Sequence, residues 1–405
     1  GWINVMYQEI NNLKNKKILV CITGSIAAYK ACELIRLLKK QEVDIKVMMS
    51  RSAEKFVGKA TFAALTNNEV ITDLFPNSPK AGLEHIELSF DLDLIVVVPA
   101  TANILSKTAN GIADDIVSTT LSVCEQPTIF APAMNYKMWQ NPSVMESVEK
   151  LKKMKKNIIN PEQGYLASLH QGEGRLAPIN TIMNSIRDAL EIKQPLKNKN
   201  IIVTAGPTLE PIDPVRFISN YSSGKMGYAI ADAACNFGAK VKLISGPVHL
   251  NPHPEAELIN ITTANDLLES FDKINLKKID YIFMCAAVAD YGPKKIKGKK
   301  IKKDDEKLTL ELKKNPDIIK NISSKTDAKI IAFALETEQG IKNAQNKMKN
   351  KKADFIILNY ANEEGAGFNS NTNHVYIFNK DGTKVELTKD RKDRIAYKII
   401  DWVIN

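Results

Sequence analysis

The sequence predicts an α/β protein of two domains, each a parallel sheet covered by helices on both faces. Three observations carry this. Short apolar runs rich in β-branched residues alternate along the whole chain with segments of helical spacing. The runs are near-continuous, as strands buried on both faces must be. The rhythm restarts near residue 196, after Glu191–Asn198, a polar stretch with one proline. A length of 405 residues suits two or three domains. The expected division is a first domain at 1–190, a linker at 191–198 and a second domain at 199–405.

In the first half, Lys17–Thr23 (KILVCIT) reads as a strand. Gly24-Ser25 punctuates it, and Ile26–Lys40 carries Ala27, Leu34, Ile35 and Leu38 at helical spacing. Asp44–Met49, Leu92–Val98 and Pro127–Ala131 are further strands. The stretch from Pro99 to about Val123 reads as one helix. In the second half, Asn200–Thr204, Lys240–Ile244, Tyr281–Cys285, Lys329–Ala334 and Asp354–Leu358 are apolar strands, and Gly227–Phe237 is a helix. His374–Leu387 reads as a hairpin closed by a two-residue Asp381-Gly382 turn.

Composition narrows the function. With 44% hydrophobic and 25% charged residues the chain is not mainly disordered. A net charge of +10 favours anionic ligands, but the lysines are spread out, and no nucleic-acid partner is expected. No apolar run approaches the ~18 residues of a membrane span, and the first 17 residues lack a signal peptide's apolar stretch. Five cysteines without a CxxC pair read as buried thiols in a reducing compartment. The expectation is a cytoplasmic protein without a membrane partner.

Two nucleotide motifs are absent. Ser223-Gly224-Lys225-Met226 fails as a P-loop, because Ser219 and Met226 occupy the positions of the first glycine and the hydroxyl. Gly172-Glu173-Gly174 matches part of a dinucleotide fingerprint but follows no strand, so it reads as a different loop.

Small and polar residues instead follow the strands. Gly24-Ser25-Ile26-Ala27-Ala28 forms a strand-to-helix turn whose free N–H groups suit an anion; an ordinary turn with an N-cap serine has the same pattern. Pro99-Ala100-Thr101-Ala102-Asn103 follows the third strand, Pro132-Ala133-Met134-Asn135 the fourth, and His85 precedes the third. With these four motifs in order, residues 16–179 resemble the homo-oligomeric flavin-containing cysteine decarboxylases. The resemblance implies a flavodoxin-like or Rossmann-like domain binding FMN through Gly24, Ser25, Ile26 and Ala27, Ser50, Thr101, Ala102, Asn103 and Ser106. It also implies His85 beside the flavin and Asn135 on the substrate carboxylate. Flavin would oxidise the CH–SH unit to a thioaldehyde, whose C=S group accepts the electrons released on decarboxylation. His85 would polarise or deprotonate the thiol.

One segment departs from that family. Its pattern reads roughly G-x-L-A-C-G-x-x-G-x-G-R, where this chain has Gly164-Tyr165-Leu166-Ala167-Ser168-Leu169-His170-Gln171-Gly172-Glu173-Gly174-Arg175. Ser168 replaces the cysteine that protonates the ene-thiolate, and a hydroxyl is a much weaker acid than a thiol. Three outcomes stand open: Ser168 acts with a water, His170 takes over, or the final reductive step is impaired.

Residues 206–227 form a long segment between strand and helix, with prolines, Arg216, Asn220 and a Ser222-Ser223-Gly224 helix start. A connection this long points to function. It resembles phosphopantothenate–cysteine ligase, and the match extends over residues 199–387: Ala286–Tyr291, the Lys300 segment, Asn315–Ile318, Phe333 with Glu336, and Lys347 with Lys351. The resemblance implies a Rossmann-like ligase domain in which the carboxylate of 4′-phosphopantothenate attacks the α-phosphorus of CTP and cysteine displaces CMP from the acyl cytidylate. It implies Arg216 and Asn220 on the acyl substrate and Lys300, Lys347 and Lys351 on CTP. Met284, Cys285, Ala286, Asp290, Pro316, Asp317, Ile318, Ile319 and Phe333 would frame the nucleotide, with Mg²⁺ as its counter-ion. No metal-ligating residues are assigned. Residues 294–303 hold seven lysines and read equally as a solvated charged loop.

The whole chain thus resembles the bifunctional bacterial flavoproteins of coenzyme A biosynthesis, with a trimeric flavin half and a dimeric ligase half implied. Two rivals remain: a ligase whose flavin half is weakened at Ser168, and a non-catalytic flavin-binding regulator. Carbon dioxide release from 4′-phosphopantothenoylcysteine excludes the first, and CTP-dependent pyrophosphate release the second.

Overall fold

The computed structural model describes residues 2–4, 13–73, 91–165, 171–303, 306–336, 339–360 and 370–405. Two compact units divide the chain, one spanning Asn11–Lys193 and the other Gln194–Asn405 together with the N-terminal strand β1 (Trp2–Asn4). The sequence had placed that strand in the first domain. Three residues carry no periodicity, so their partner strand is legible only in three dimensions.

The first unit runs β2 (Lys17–Ile22), α1 (Lys30–Lys40), β3 (Asp44–Met49), α2 (Lys59–Thr66), β4 (Leu94–Ala100), α3 (Ala102–Asn110) and α4 (Ile116–Val123). It continues with β5 (Thr128–Pro132), α5 (Tyr136–Trp139), α6 (Pro142–Lys153), β6 (Asn157–Ile158), the hairpin β7 (Glu162–Tyr165) and β8 (Gln171–Arg175), and α7 (Ile179–Ala189). Five parallel strands form one sheet in the order β3-β2-β4-β5-β6. The continuous apolar run of β2 has a direct cause. Ile18, Val20 and Ile22 pack with Leu34, Ile35 and Leu38 of α1, while Leu19 and Cys21 pack on the opposite face with Ile104 and Leu105 of α3.

Three local expectations are corrected. The single helix expected up to Val123 is two helices, because Gly111 turns to φ +70° after α3 and Asp115 starts α4 with a capping box. The helix expected from Ile26 begins as a 3₁₀ turn, Ile26–Tyr29, before α1. Gly172–Gly174 lie on β8, so they open no helix.

The second unit contains β9 (Asn200–Ala205), the hairpin β10 (Leu209–Pro211) and β11 (Phe217–Ser219), α8 (Lys225–Asn236), β12 (Lys240–Ser245), β13 (Glu257–Asn260) and α9 (Ala264–Asp272). Then follow β14 (Tyr281–Met284), the paired strands β15 (Tyr291–Pro293) and β16 (Leu312–Lys314), α10 (Ile318–Ser323), β17 (Lys329–Glu336) and α11 (Gly340–Lys351). The unit ends with β18 (Phe355–Tyr360), β19 (Thr372–Asn379), β20 (Lys384–Arg391) and α12 (Lys392–Ile404). Its nine-stranded sheet has the order β1-β20-β19-β18-β17-β14-β9-β12-β13. Ile201 and Val203 of β9 face α8 and α12, and Ile202 faces α9 on the other side. The β19–β20 hairpin closes with a three-residue loop rather than the expected two-residue turn. Asn379 N–H bonds Thr383 O (2.9 Å), Gly382 N–H bonds Asn379 O (3.0 Å), and Gly382 takes φ +90°. No helix among the described residues is long and apolar enough to cross a membrane.

Candidate active sites

In each unit the strand order reverses direction at one point, between β2 and β4 in the first and between β9 and β14 in the second. Ligands of open α/β sheets bind outside the strand ends at such a point.

In the first unit Thr23, buried at the end of β2, joins the two strand ends. Its hydroxyl donates to Pro99 O (2.6 Å) and accepts from Thr101 N–H (3.1 Å). Gly24 follows, and an added Cβ there would run into the Ser52 side chain. Ser25 Oγ caps the 3₁₀ turn by accepting from Ala27 N–H (3.2 Å). Thr101 Oγ1 caps α3 by accepting from Ile104 N–H (3.2 Å). Both hydroxyls accept through oxygen, which leaves each hydrogen free for a ligand. Ser50 is buried beside Ser52 (3.1 Å) and caps Ala53 (3.2 Å). Ala102 is buried and Asn103 exposed at the start of α3. Ser106 lies one turn further, where its hydroxyl meets Ser147 of α6 (3.4 Å).

Asn135 belongs to the same end. Ala133 N–H bonds Ala100 O (3.1 Å), and Met134 N–H bonds Gly174 O (2.9 Å). Gly174 has φ +143°, and any Cβ there would strike Met134 O. The exposed Asn135 side chain caps α5 through Oδ1, which accepts from Lys137 N–H (2.9 Å). Its amide nitrogen is therefore the group left to donate. Among the charged residues nearby, Lys30 has its pKa lowered by burial and by Arg175. His85 and Ser168 lie outside the described residues.

The second unit is stitched together in the same way. Thr204 Oγ1 accepts from Ala286 N–H (3.1 Å), and Thr208 Oγ1 accepts from Ala289 N–H (3.0 Å). Ala287 N–H bonds Gly206 O (2.9 Å). Gly206 and Gly224 both take positive φ, and Cβ atoms on either would crowd Val248. The expected long loop contains the β10–β11 hairpin, which carries Arg216 and Asn220 at and beyond β11. Asn220 Nδ2 donates to Val288 O (3.1 Å). A cleft of about 610 Å³ opens beside it, lined by Pro207, Leu209, Phe217, Ser219, Asn220 and Tyr221 to Ser223.

Other expected residues reach this end from three directions. Asn315 Nδ2 bonds Ala289 O (2.7 Å) and its N–H bonds Asp290 O (2.8 Å), which brings Pro316 and Asp317 to the exposed Asp290. Asp317 caps α10, where Ile318 and Ile319 are buried. Met284 ends β14; the Cys285 thiol after it is driven well up in pKa by burial and is no nucleophile. Phe333 lies one residue past the Met284–Ala332 pair. Lys300 is exposed beside Ile301, whose N–H bonds Asp213 (3.1 Å). Lys347 of α11 makes its ion pair with Glu336 at the end of β17 (3.2 Å), and Lys351 closes that helix. Among the described residues no group of three or more His, Cys, Asp or Glu is placed to hold a metal.

Thr23, Thr204, Thr208 and Asp213 were not singled out in the sequence. The one available signal is a threonine ending an apolar strand just before glycine or a small residue, as in ILVCITG and IIVTAG.

Comparison with known proteins agrees with this division. The family described as DNA/pantothenate metabolism flavoprotein C-terminal domain matches residues 196–405, and the family described as Flavoprotein matches residues 6–191. The chain is 42% identical over 395 residues to the coenzyme A biosynthesis bifunctional protein CoaBC of Bacillus subtilis, covering 96% of this chain and 97% of that protein. The protein of the same name from Borreliella burgdorferi is 40% identical over 391 residues, covering 96% and 98%. Among solved structures, the C-terminal domain of a coenzyme A biosynthesis bifunctional protein CoaBC is 37% identical, with a TM-score of 0.45, over 52% of this chain and 97% of that one.

Proposed function

Given that the chain belongs to the coenzyme A biosynthesis bifunctional proteins and carries their ligase and decarboxylase activities, we propose that the β2–β4 site performs the decarboxylation and the β9–β14 cleft the ligation. The observation that carries this reading is the presence of two separate strand reversals, each gathering the polar residues that suit one of the two reactions. On this reading the domains divide between 190 and 199.

In the decarboxylase site, FMN would rest on Gly24 to Ala27, Ser50 and Thr101 to Asn103, with Ser106 behind. The donor set fits: two capped helix starts, two hydroxyl hydrogens and a glycine that admits a close approach. Bound there, FMN supplies reversible hydride chemistry to the thiol-bearing carbon. Asn135, whose oxygen is committed to its helix cap, turns a donor to the substrate carboxylate. His85 holds the substrate thiol, and Ser168 stands where a proton donor is needed.

In the ligase cleft, Asn220 has its nitrogen committed to Val288 O and keeps its oxygen as an acceptor for the acyl substrate. Arg216, about a third exposed, faces the substrate carboxylate. Lys300 offers a mobile positive charge to the triphosphate of CTP, whose α-phosphorus the carboxylate attacks. Pyrophosphate leaves, and the amine of cysteine then displaces CMP to form the amide. Mg²⁺ enters on the triphosphate oxygens. Lys347 and Lys351 are the secondary nucleotide contacts of this reading. We place the protein in the cytoplasm as a homo-oligomer, trimeric through the flavin half, where Ile26, Tyr29 and Phe56 expose apolar surface, and dimeric through the ligase half.

The test uses the purified chain. It should show a flavin absorption band, release pyrophosphate from CTP only with 4′-phosphopantothenate present, and release carbon dioxide from 4′-phosphopantothenoylcysteine. Colourless protein, or pyrophosphate release without the acyl substrate, would overturn the assignment. Ser168 supports a second reading, a ligase with a weakened decarboxylase half; sustained carbon dioxide release eliminates it.

A further inference from the structure

We propose that Asp213 is a positioning residue of the ligase reaction, which ties Arg216 to the lysine-rich loop so that Arg216 and Lys300 are presented together. This rests on the reading of those two residues given above. Asp213 sits in the turn between β10 and β11 and is only 3% exposed. Its Oδ1 accepts from the N–H groups of Val215 and Arg216, both at 2.8 Å. Its Oδ2 accepts from Arg216 Nη1 (2.7 Å) and from Ile301 N–H (3.1 Å), 88 residues along the chain. Two more bonds join the same segments: Arg216 Nη1 to Ile301 O (3.4 Å) and Lys297 N–H to Ile212 O (3.0 Å).

The lysine-rich loop needs such a mooring. Residues 294–303 carry seven like charges, all exposed, which repel one another, and Ile301 is the half-buried residue among them. One carboxylate oxygen serves both the arginine head and the loop, so the two groups move together or not at all. Burial pushes the Asp213 pKa up, but bonds from the N–H groups of Ile301, Val215 and Arg216 and from the Arg216 side chain outweigh it and hold the carboxyl down at about 2. The group is thus ionised wherever the enzyme works. An asparagine could keep the two Oδ1 bonds, but its NH₂ would face two donors at the other position.

The experiment compares the wild-type chain with Asp213→Asn, Asp213→Glu, Arg216→Ala, Lys300→Ala and the Asp213→Asn/Lys300→Ala double variant. In Asp213→Asn the ligase kcat/KM for CTP should fall about 10- to 100-fold, the loss expected from one or two charge-assisted hydrogen bonds. Decarboxylation of added 4′-phosphopantothenoylcysteine should be unchanged, and Asp213→Glu should recover part of the loss. Amide hydrogen exchange in peptides covering 297–303 should accelerate, a change that loss of a remote turn would not cause. The losses of Asp213→Asn and Lys300→Ala should not add. Additive losses, unchanged exchange, or a wild-type kcat/KM in Asp213→Asn overturn the proposal. If Arg216→Ala or Lys300→Ala keeps full ligase activity, the reading of the site falls, and the proposal with it. Should Asp213→Asn fail to fold, exchange in the wild-type chain decides: the Lys297 and Ile301 amides slower than their neighbours support the mooring, and equal rates refute it.

Discussion

Replacing Thr23 by valine keeps the side-chain shape and removes one hydroxyl, so it isolates the bond pair that joins β2 to β4. That hydroxyl donates to the buried Pro99 O at 2.6 Å and accepts from Thr101 N–H at 3.1 Å. Each lost bond leaves a polar group short of a partner in a site where Thr23 is 3% exposed. At about 1–2 kcal/mol per group, the first unit should lose roughly 2–4 kcal/mol. For a unit of this size that lowers the midpoint of thermal unfolding by about 4–16 °C. Thr101 caps α3 and Asn103 follows it, so flavin affinity should fall as well. Scanning calorimetry and flavin titration of the full chain measure both, with ligase turnover as the internal control. A midpoint lowered by less than about 2 °C with unchanged flavin affinity would refute the view that Thr23 holds this strand end together.

Gly174→Ala should loosen the Asn135 segment, because the new Cβ meets Met134 O and φ is +143°; decarboxylase KM should rise while ligase turnover stays constant. Asp232, on α8, has its pKa raised by burial from 3.8 to about 7. The folded chain therefore keeps a proton that the unfolded chain releases, and stability falls as pH rises between those values, levelling off above 7. Asp232→Asn should be more stable than wild type at pH 8, by on the order of a few kcal/mol at most, and equal to it near pH 4. Equal midpoints at pH 8 would contradict this. Exchanging Lys299 or Lys302 for alanine should reduce ligase kcat/KM less than Lys300→Ala, because Lys300 adjoins the moored Ile301; equal losses would show that the loop acts only through its total charge.

The sheet strands were legible because burial on both faces demands an apolar residue at almost every position. Leu94–Ala100 is wholly buried, and its sequence announces a central strand. The sites were legible as positions, since small and polar residues after such strands fall at the sheet's open end. Their fastenings were not. Asp213 reads in sequence as an ordinary residue before a proline; its partner Ile301 lies 88 residues away, and only the fold brings them together. Thr23 reads as the last residue of a β-branched strand, and nothing local separates it from Thr128, which lies inside β5. Helix continuity failed at Gly111, where one positive φ ended a segment whose apolar spacing continued. The β19–β20 loop differed because Gly382 occupies a bulge position that pattern alone does not distinguish from a turn position.

The central claim is that two independent sheet-end sites perform the two reactions. A crossed assay on the full chain tests it most directly, with pyrophosphate release from CTP and carbon dioxide release from added 4′-phosphopantothenoylcysteine measured on Asn135→Ala and Asn220→Ala. Asn135→Ala should lose carbon dioxide release and keep pyrophosphate release, and Asn220→Ala should do the reverse. A folded variant that loses both activities, or loses the one assigned to the other site, would contradict the account.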